Sequence, residues 1–183
     1  MAAPGKRRIY SNEGFNVVGE TIERATGVSV VQWVRASVFE PLGMSSADIQ
    51  GSPAHAGLAS ADDLSLFGAE LARPTLVSAP LAALAGLSQF PALAGVVPGY
   101  GRFAPCPWGL GVEIRGEKSP HWTAPDASAR TIGHFGQSGS FVWADRDLGA
   151  SAAFVGAQPF GPWHHDNWAS LNASLLALAR ERS

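Results

Sequence analysis

The chain has 183 residues, a length that fits one compact domain better than two. Hydrophobic residues make up 46% of it and charged residues 15%, which is enough apolar material for a core and excludes a disordered protein. The formal net charge of -2 provides no concentrated basic surface, so nucleic acid is not an expected partner. The short basic run Lys6-Arg7-Arg8 is interpreted as a solvated terminus.

Targeting and membrane signals are not found in the sequence as given. No apolar run follows the basic residues near Met1, so a cytoplasmic location is expected here, while a longer whole protein could be exported. The uncharged stretch between residues 73 and 102 contains four prolines, which predicts a buried or loop-rich connector and no membrane partner. The single cysteine, Cys106, lies between two prolines and is expected to be structural.

A first helix is predicted close to the start of the chain. Apolar residues recur at helical spacing and are followed by Gly27 as a C-terminal cap, which predicts a helix over residues 13–26. The two glycines inside it, Gly14 and Gly19, weaken the helix and are expected to mark close approach of another element.

Two more helices are marked by capping boxes, in which a serine and a polar residue three positions later cap each other. Ser29 and Gln32 form the first pair, and this helix is predicted to stop before Pro41. Ser60 and Asp63 form the second pair. Residues 1–100 are therefore predicted to be mostly helical.

The rest of the chain, residues 101–183, is predicted to hold a sheet and a terminal helix. An antiparallel hairpin is indicated by the turn composition from Asp145 to Gly149, and an amphipathic helix from Asp166 onward would cover one sheet face. The fold class is therefore α+β. Four short, turn-bounded segments rich in strand formers lie at residues 108–116, 130–136, 139–145 and 149–157.

Several common catalytic motifs are absent from the sequence. It contains no Gly-x-Ser-x-Gly nucleophile elbow and no phosphate-binding loop. His164, His165 and Asp166 are consecutive, but neighbouring positions on one element point in different directions, so a helix-entry or surface role is favoured over metal binding. No cofactor and no metal are expected.

Seven strings that occur in one order along the chain resemble a known superfamily. They are PG (4–5), YSN (10–12), GETIERATG (19–27), VFEPLGM (38–44), AGLASADDLSLFG (56–68), PWGLGVEI (107–114) and GHFGQSGSFV (133–142). The set resembles the serine β-lactamase and penicillin-binding-protein superfamily, in the branch of class C β-lactamases, D-alanyl-D-alanine carboxypeptidases and related esterases. The resemblance implies a helical region, an antiparallel sheet and a covering C-terminal helix, as part of a β-lactamase/transpeptidase-like fold.

Three elements surround one groove in that family: Ser-x-x-Lys, Tyr-x-Asn, and Lys-Thr-Gly or His-x-Gly. The resemblance implies that Tyr10 and Asn12 are catalytic, because Tyr10 would assist a serine in losing its proton and Asn12 offers both a donor and an acceptor. It also implies that His134, Gly136 and Gln137 bind substrate, with the backbone N–H of Gln137 as an oxyanion donor.

The same residues have ordinary structural roles as alternatives. Tyr10 would pack half-buried, Asn12 would cap a helix, and His134 would be a satisfied strand histidine. Ser138, Ser140 and Asn172 are interpreted as structural.

The nucleophile motif is not in this sequence. The chain has two lysines, Lys6 and Lys118, and Ala3 and Arg115 stand three residues before them. The expected function is therefore the C-terminal portion of a penicillin-recognising serine hydrolase, inactive alone, whose substrate is a small molecule or peptidoglycan-like. The alternatives are a non-catalytic binding module, which pairs with an N-terminal portion or with itself, and a truncated reading frame.

Overall fold

The computed structural model describes residue 3 and residues 5–181, and it confirms the α+β class; Pro4 of the first string lies outside this range. The helices are α1 (Asn12–Thr26), α2 (Val30–Val34), α3 (Glu40–Leu42), α4 (Ala61–Ala72), α5 (Ala79–Ala85) and α6 (Pro162–Glu181). The strands are β1 (Asp48–Ile49), β2 (Gly57–Leu58), β3 (Gly95–Val97), β4 (Gly101–Phe103), β5 (Glu113–Ile114), β6 (Ile132–Phe135), β7 (Phe141–Asp145) and β8 (Ala150–Phe154).

Helix α1 confirms the first predicted helix and its cap. Gly27 has a φ of 76°, and its N–H donates to the carbonyl of Glu23, which is the left-handed ending that favours glycine. The expected close approach is confirmed at Gly19, where an added Cβ would lie 3.0 Å from Pro53 Cγ. At Gly14 the expectation is wrong, because no described atom beyond its chain neighbours and the backbone of its own helix lies within 4 Å of an added Cβ.

The second helix starts as predicted and continues further than predicted. Ser29 Oγ accepts from the Gln32 N–H, and the Gln32 side chain accepts from the Ser29 N–H. The predicted end before Pro41 is wrong, because a π-helical turn over Arg35–Phe39 leads directly into α3. Pro41 is the second residue of α3 and follows that turn without a break in the helical path.

The connector between α4 and the sheet is loop-rich, as predicted, but it is not buried throughout. Helix α5 and the antiparallel pair β3–β4 lie within it, and neither was predicted. Leu87, just after α5, is 59% exposed. Among the described residues, no helix is both long and apolar enough to cross a bilayer.

The predicted sheet is confirmed as four antiparallel strands in the order β5-β6-β7-β8. Asp145 closes the predicted hairpin between β7 and β8, because its Oδ1 accepts from the N–H groups of Asp147 and Leu148. Gly149 completes this turn with a φ of 66°. The β6–β7 register pairs His134 with Val142, so the side chains of both residues lie on one face of the sheet.

Two cores form on the two faces of this sheet. On one face Ile132 and Ala144 pack with Ile114 and with Ala72 of α4. On the other face lies the larger core, in which α6 buries Trp168 and Leu176. The other buried members of that core are Val97, Tyr100, Cys106, Trp122, Ala124, Phe135, Phe141 and Trp143.

Helix α6 begins at Pro162, earlier than the predicted Asp166. Its buried positions are His164, Trp168, Asn172 and Leu176, four residues apart, whereas Leu178 is 50% exposed. The structural role of Asn172 is confirmed, because it accepts from Trp143 Nε1 at 2.7 Å and donates to the Trp122 carbonyl at 2.8 Å. The helix-entry role of His164 is also confirmed, because its Nδ1 accepts from the Gly161 N–H.

Candidate active site

The segment that precedes α1 is held against the rest of the chain by Arg8. The Arg8 N–H donates to the Ala94 carbonyl at 2.8 Å, and the Arg8 Nε donates to the Cys106 carbonyl at 2.9 Å. The interpretation of the basic run as solvated is therefore wrong for Arg8. These two bonds fix the backbone two residues before Tyr10.

Tyr10 and His134 meet although 124 residues separate them. The Tyr10 Oη lies 3.3 Å from His134 Nε2, and the two ring centroids are 5.7 Å apart. Trp108 closes the cluster, with its ring centroid 5.3 Å from His134 and 6.3 Å from Tyr10. The structure thus brings one predicted catalytic residue and one predicted substrate-binding residue into contact.

The environment of His134 favours the neutral imidazole. Burial lowers the pKa of His134, and the negative charge of Glu113 opposes this effect without cancelling it. Glu113 lies on β5, where it pairs with Gly133, so its side chain is on the sheet face opposite to His134. The charge therefore acts through the sheet and not by direct contact.

The other predicted site residues adjoin this pair in sequence: Asn12 is two residues after Tyr10, and Gly136 and Gln137 are two and three residues after His134. Asn12 is the first residue of α1 and is exposed, while Ser11 occupies the N-cap position that the structural alternative gave to Asn12. Gly136 and Gln137 follow β6 directly. Their loop is held by bonds from the Gly136 N–H to the Ser140 carbonyl and from the Phe160 N–H to the Gln137 carbonyl, which do not use the Gln137 N–H.

A cavity of about 540 Å³ opens beside Tyr10 and Trp108. Its walls are mostly apolar and come from the segment before α1, from α1 itself and from the loop after Trp108. The remaining lining residues are Arg8, Ile9, Ser11, Gly14, Phe15, Val18, Val96, Gly109, Leu110 and Gly111. A cavity of this size and character is typical of a small-molecule site.

Comparison with known proteins identifies the fold and the family. The Beta-lactamase family profile matches residues 1–177. The chain belongs to the β-lactamase family.

A solved β-lactamase from Mycobacterium bovis is similar to this β-lactamase-family chain, at 44% identity and a TM-score of 0.93. The match covers 97% of the chain and 66% of that protein. Unliganded simvastatin synthase from Aspergillus terreus shares the fold at 15% identity and a TM-score of 0.72, over 97% of the chain and 56% of that protein.

A D-stereospecific amidohydrolase from Streptomyces also shares the fold, at 17% identity and a TM-score of 0.63, over 92% of the chain and 56% of that protein. The chain therefore spans between about half and two thirds of the length of these three proteins. No curated protein sequence matches it.

Two features of this β-lactamase-family chain were not predicted from its sequence. The first is Trp108, whose signal was its place in the string PWGLGVEI, where it follows Pro107. The second is a buried charged cluster on the α6 face of the sheet. Glu113 Oε1 lies 2.8 Å from Lys118 Nζ and 3.1 Å from His121 Nε2, and Glu113 Oε2 accepts from Trp122 Nε1 at 2.9 Å.

The protonation of this cluster is set by its burial and its partners. Burial would raise the pKa of Glu113, but the hydrogen bond from His121 and the charge of Lys118 outweigh it and hold the pKa at about 2. Burial lowers the pKa of His121, against the opposing effect of Glu113. At neutral pH, Glu113 is therefore ionised, and the neutral form of His121 is favoured.

Stability is expected to fall as the pH drops. A carboxyl with a lowered pKa stabilises the fold above its unfolded pKa of about 4.5, and this contribution, roughly 3 kcal/mol, is lost as pH falls toward about 2. His121 adds to the loss below about pH 6.5, because the unfolded state binds a proton that the folded state resists. Melting temperatures of the chain and of Glu113→Gln between pH 7 and 3 test this. Parallel curves would contradict the role given to Glu113.

Proposed function

We propose that this chain provides the Tyr-x-Asn and His-x-Gly elements of a penicillin-recognising serine hydrolase, which cleaves an amide or ester through an acyl-enzyme. The contact between Tyr10 Oη and His134 Nε2 supports this most directly, because it joins the two quoted elements at one point. The apolar cavity beside them supports a small-molecule or peptidoglycan-like substrate.

Each residue has a specific role in this proposal. Tyr10 exchanges a proton with the attacking serine or the leaving group, and Asn12 orients the substrate carbonyl and the base. Gly136 and Gln137 lie beyond the end of β6, and the N–H of Gln137 stabilises the oxyanion. A second oxyanion donor and the nucleophile come from a Ser-x-x-Lys motif, which these 183 residues do not contain.

The substrate proposed for the whole protein is an ester or a peptide amide, in preference to a β-lactam. His134 stands where the β-lactamases of this superfamily carry lysine, and its environment favours a neutral ring. Two proteins of similar fold, a simvastatin synthase and a D-stereospecific amidohydrolase, have names that fit acyl chemistry at esters and amides.

Activity measurements on the chain alone come first. We expect no hydrolysis of a chromogenic cephalosporin or of p-nitrophenyl esters above the level of the Tyr10→Phe variant, because no activated serine is present. Turnover that disappears in Tyr10→Phe, or a labelled penicillin bound covalently to any serine, would show that the chain works by itself.

A fusion then tests the site. The part of the Mycobacterium bovis protein that the match leaves out is joined to this chain, and ester hydrolysis is measured. We expect activity in the fusion and a loss of about 10² to 10⁴ in rate with Tyr10→Phe. Tyr100→Phe, at the only other tyrosine, is the control and should keep the rate. A cooperatively folded fusion that is inactive would overturn the proposal.

A non-catalytic partner module is the second candidate, and the edge of the sheet favours it. Strand β8 pairs only with β7 among the described residues, and a cavity of about 560 Å³ runs beside it between Arg73 and Leu178. An unpaired strand edge recruits other chains. Size-exclusion chromatography tests this: association that rises with concentration supports the candidate, and a monomer with one cooperative melt counts against it.

A further inference from the structure

The two nitrogens of the His134 ring have different surroundings. Nε2 faces the Tyr10 hydroxyl at 3.3 Å, whereas Nδ1 is buried and has no hydrogen-bond partner among the described residues. A neutral imidazole carries its single proton on one nitrogen only, so these surroundings decide which one. Neither nitrogen is left to face a substrate in the cavity.

We infer that His134 is a positioning residue that acts through Tyr10: its ring is neutral, carries the proton on Nε2 and donates it to the Tyr10 oxygen. This role differs from the predicted hydrogen bond between the His134 side chain and the substrate. Its consequence for catalysis rests on the proposed function, whereas the protonation of the ring can be measured in this chain by itself.

The enclosed Nδ1 supports this tautomer. If Nδ1 carried the proton, a buried N–H would have no acceptor, and buried N–H groups without acceptors are rarer than buried acceptors without donors. With the proton on Nε2, the Tyr10 oxygen, 3.3 Å away, is available as its acceptor.

The groups around the ring also support its neutrality. Tyr10 approaches from the segment before α1, Trp108 packs against the ring, and Val142 is its partner on β7. Among the described residues, Glu113 on β5 is the one charged group that favours an imidazolium, and it acts from the opposite face of the sheet. An imidazolium would bury a second N–H without an acceptor, and the free-energy cost of that burial exceeds the stabilisation that the Glu113 charge provides.

A neutral donor has a specific effect on Tyr10. When Nε2–H donates to the Tyr10 oxygen, the phenol proton is directed away from His134. The same N–H stabilises negative charge on that oxygen whenever Tyr10 gives up its proton. His134 therefore fixes the direction in which Tyr10 exchanges its proton.

NMR of the ¹⁵N-labelled full chain tests the inference. Long-range ¹H–¹⁵N correlations of the five histidines are recorded from pH 5 to 8, and the His134 signals are those lost in His134→Gln. We expect the Nε2–H tautomer at pH 7, an Nε2 proton that exchanges faster in Tyr10→Phe, and no change in the control Tyr100→Phe. An Nδ1–H tautomer, or an imidazolium at pH 7, would overturn the inference.

The fused hydrolase provides a second measurement. Glutamine keeps an N–H donor for the Tyr10 oxygen, so His134→Gln should stay within about tenfold of the parent rate, while His134→Leu should lose about 10² to 10³. Equal losses in both variants would contradict the donor role. An inactive fusion would count against the proposed function only, because the NMR result does not depend on turnover.

Discussion

Replacing Lys118 with methionine is expected to lower the free energy of unfolding by about 3–5 kcal/mol. Lys118 is 2% exposed, and its Nζ lies 2.8 Å from Glu113 Oε1 and 2.5 Å from the Ile114 carbonyl. Methionine has nearly the same length but no charge, so the buried Glu113 carboxylate would lose its cationic partner. The surrounding core excludes water, so solvent cannot stabilise the carboxylate in place of Lys118.

Urea denaturation measures this loss, and two further variants identify its cause. The double variant Glu113→Gln/Lys118→Met removes both charges and should recover part of the stability, because the penalty comes from the unpaired carboxylate. Arg130→Met removes a comparable ion pair, with Asp147, at the surface, where the two side chains are 74% and 48% exposed. It should cost less than about 1 kcal/mol. A similar cost for Arg130→Met and Lys118→Met would contradict the argument.

Local signals in the sequence predicted local structure well. Both capping boxes, Ser29 with Gln32 and Ser60 with Asp63, start helices as expected, because each motif satisfies its own backbone donors within one turn. The turn composition from Asp145 to Gly149 is also a local signal, and it correctly predicted the hairpin between β7 and β8. The short pairs β1–β2 and β3–β4 were missed, since strands of two or three residues carry too little alternation to be distinguished from loops.

Pro41 shows where a local rule fails. Proline usually ends a helix, but here the π-helical turn over Arg35–Phe39 comes directly before α3. Pro41 is the second residue of α3 and does not end the helical path. The sequence around Pro41 contains no signal for that wider turn.

The candidate site was accessible from the sequence only through the family resemblance. Nothing in the spacing of Tyr10 and His134 indicates a contact across 124 residues. Only the ordered strings, through the family resemblance, implied that the two residues share one groove. The charged cluster of Glu113, Lys118 and His121 was missed, because neither the quoted strings nor a local pattern indicated it. Lys118 entered the sequence argument only as a lysine without a serine three residues before it, because burial of an ion pair depends on tertiary packing that no short pattern encodes.

Trp168→Ala is expected to lower the free energy of unfolding by about 3–5 kcal/mol. The Trp168 ring is fully buried between α6 and the sheet, with ring centroids 5.5 Å from Phe135, 5.2 Å from Phe141 and 5.2 Å from Phe160. Alanine would leave a cavity that these aromatic rings, fixed on two strands and a loop, cannot close without moving.

Trp163 is a matched control for Trp168, because it lies on the same helix but is 54% exposed. Its ring stacks on Phe154 alone among the phenylalanines described, at a centroid distance of 6.5 Å, so Trp163→Ala should cost less than about 1 kcal/mol. Urea denaturation of both variants compares the same change of side chain at a buried and an exposed position. Should the two variants lose equal stability, the core formed by α6 and the sheet would not be the part of the fold that limits its unfolding.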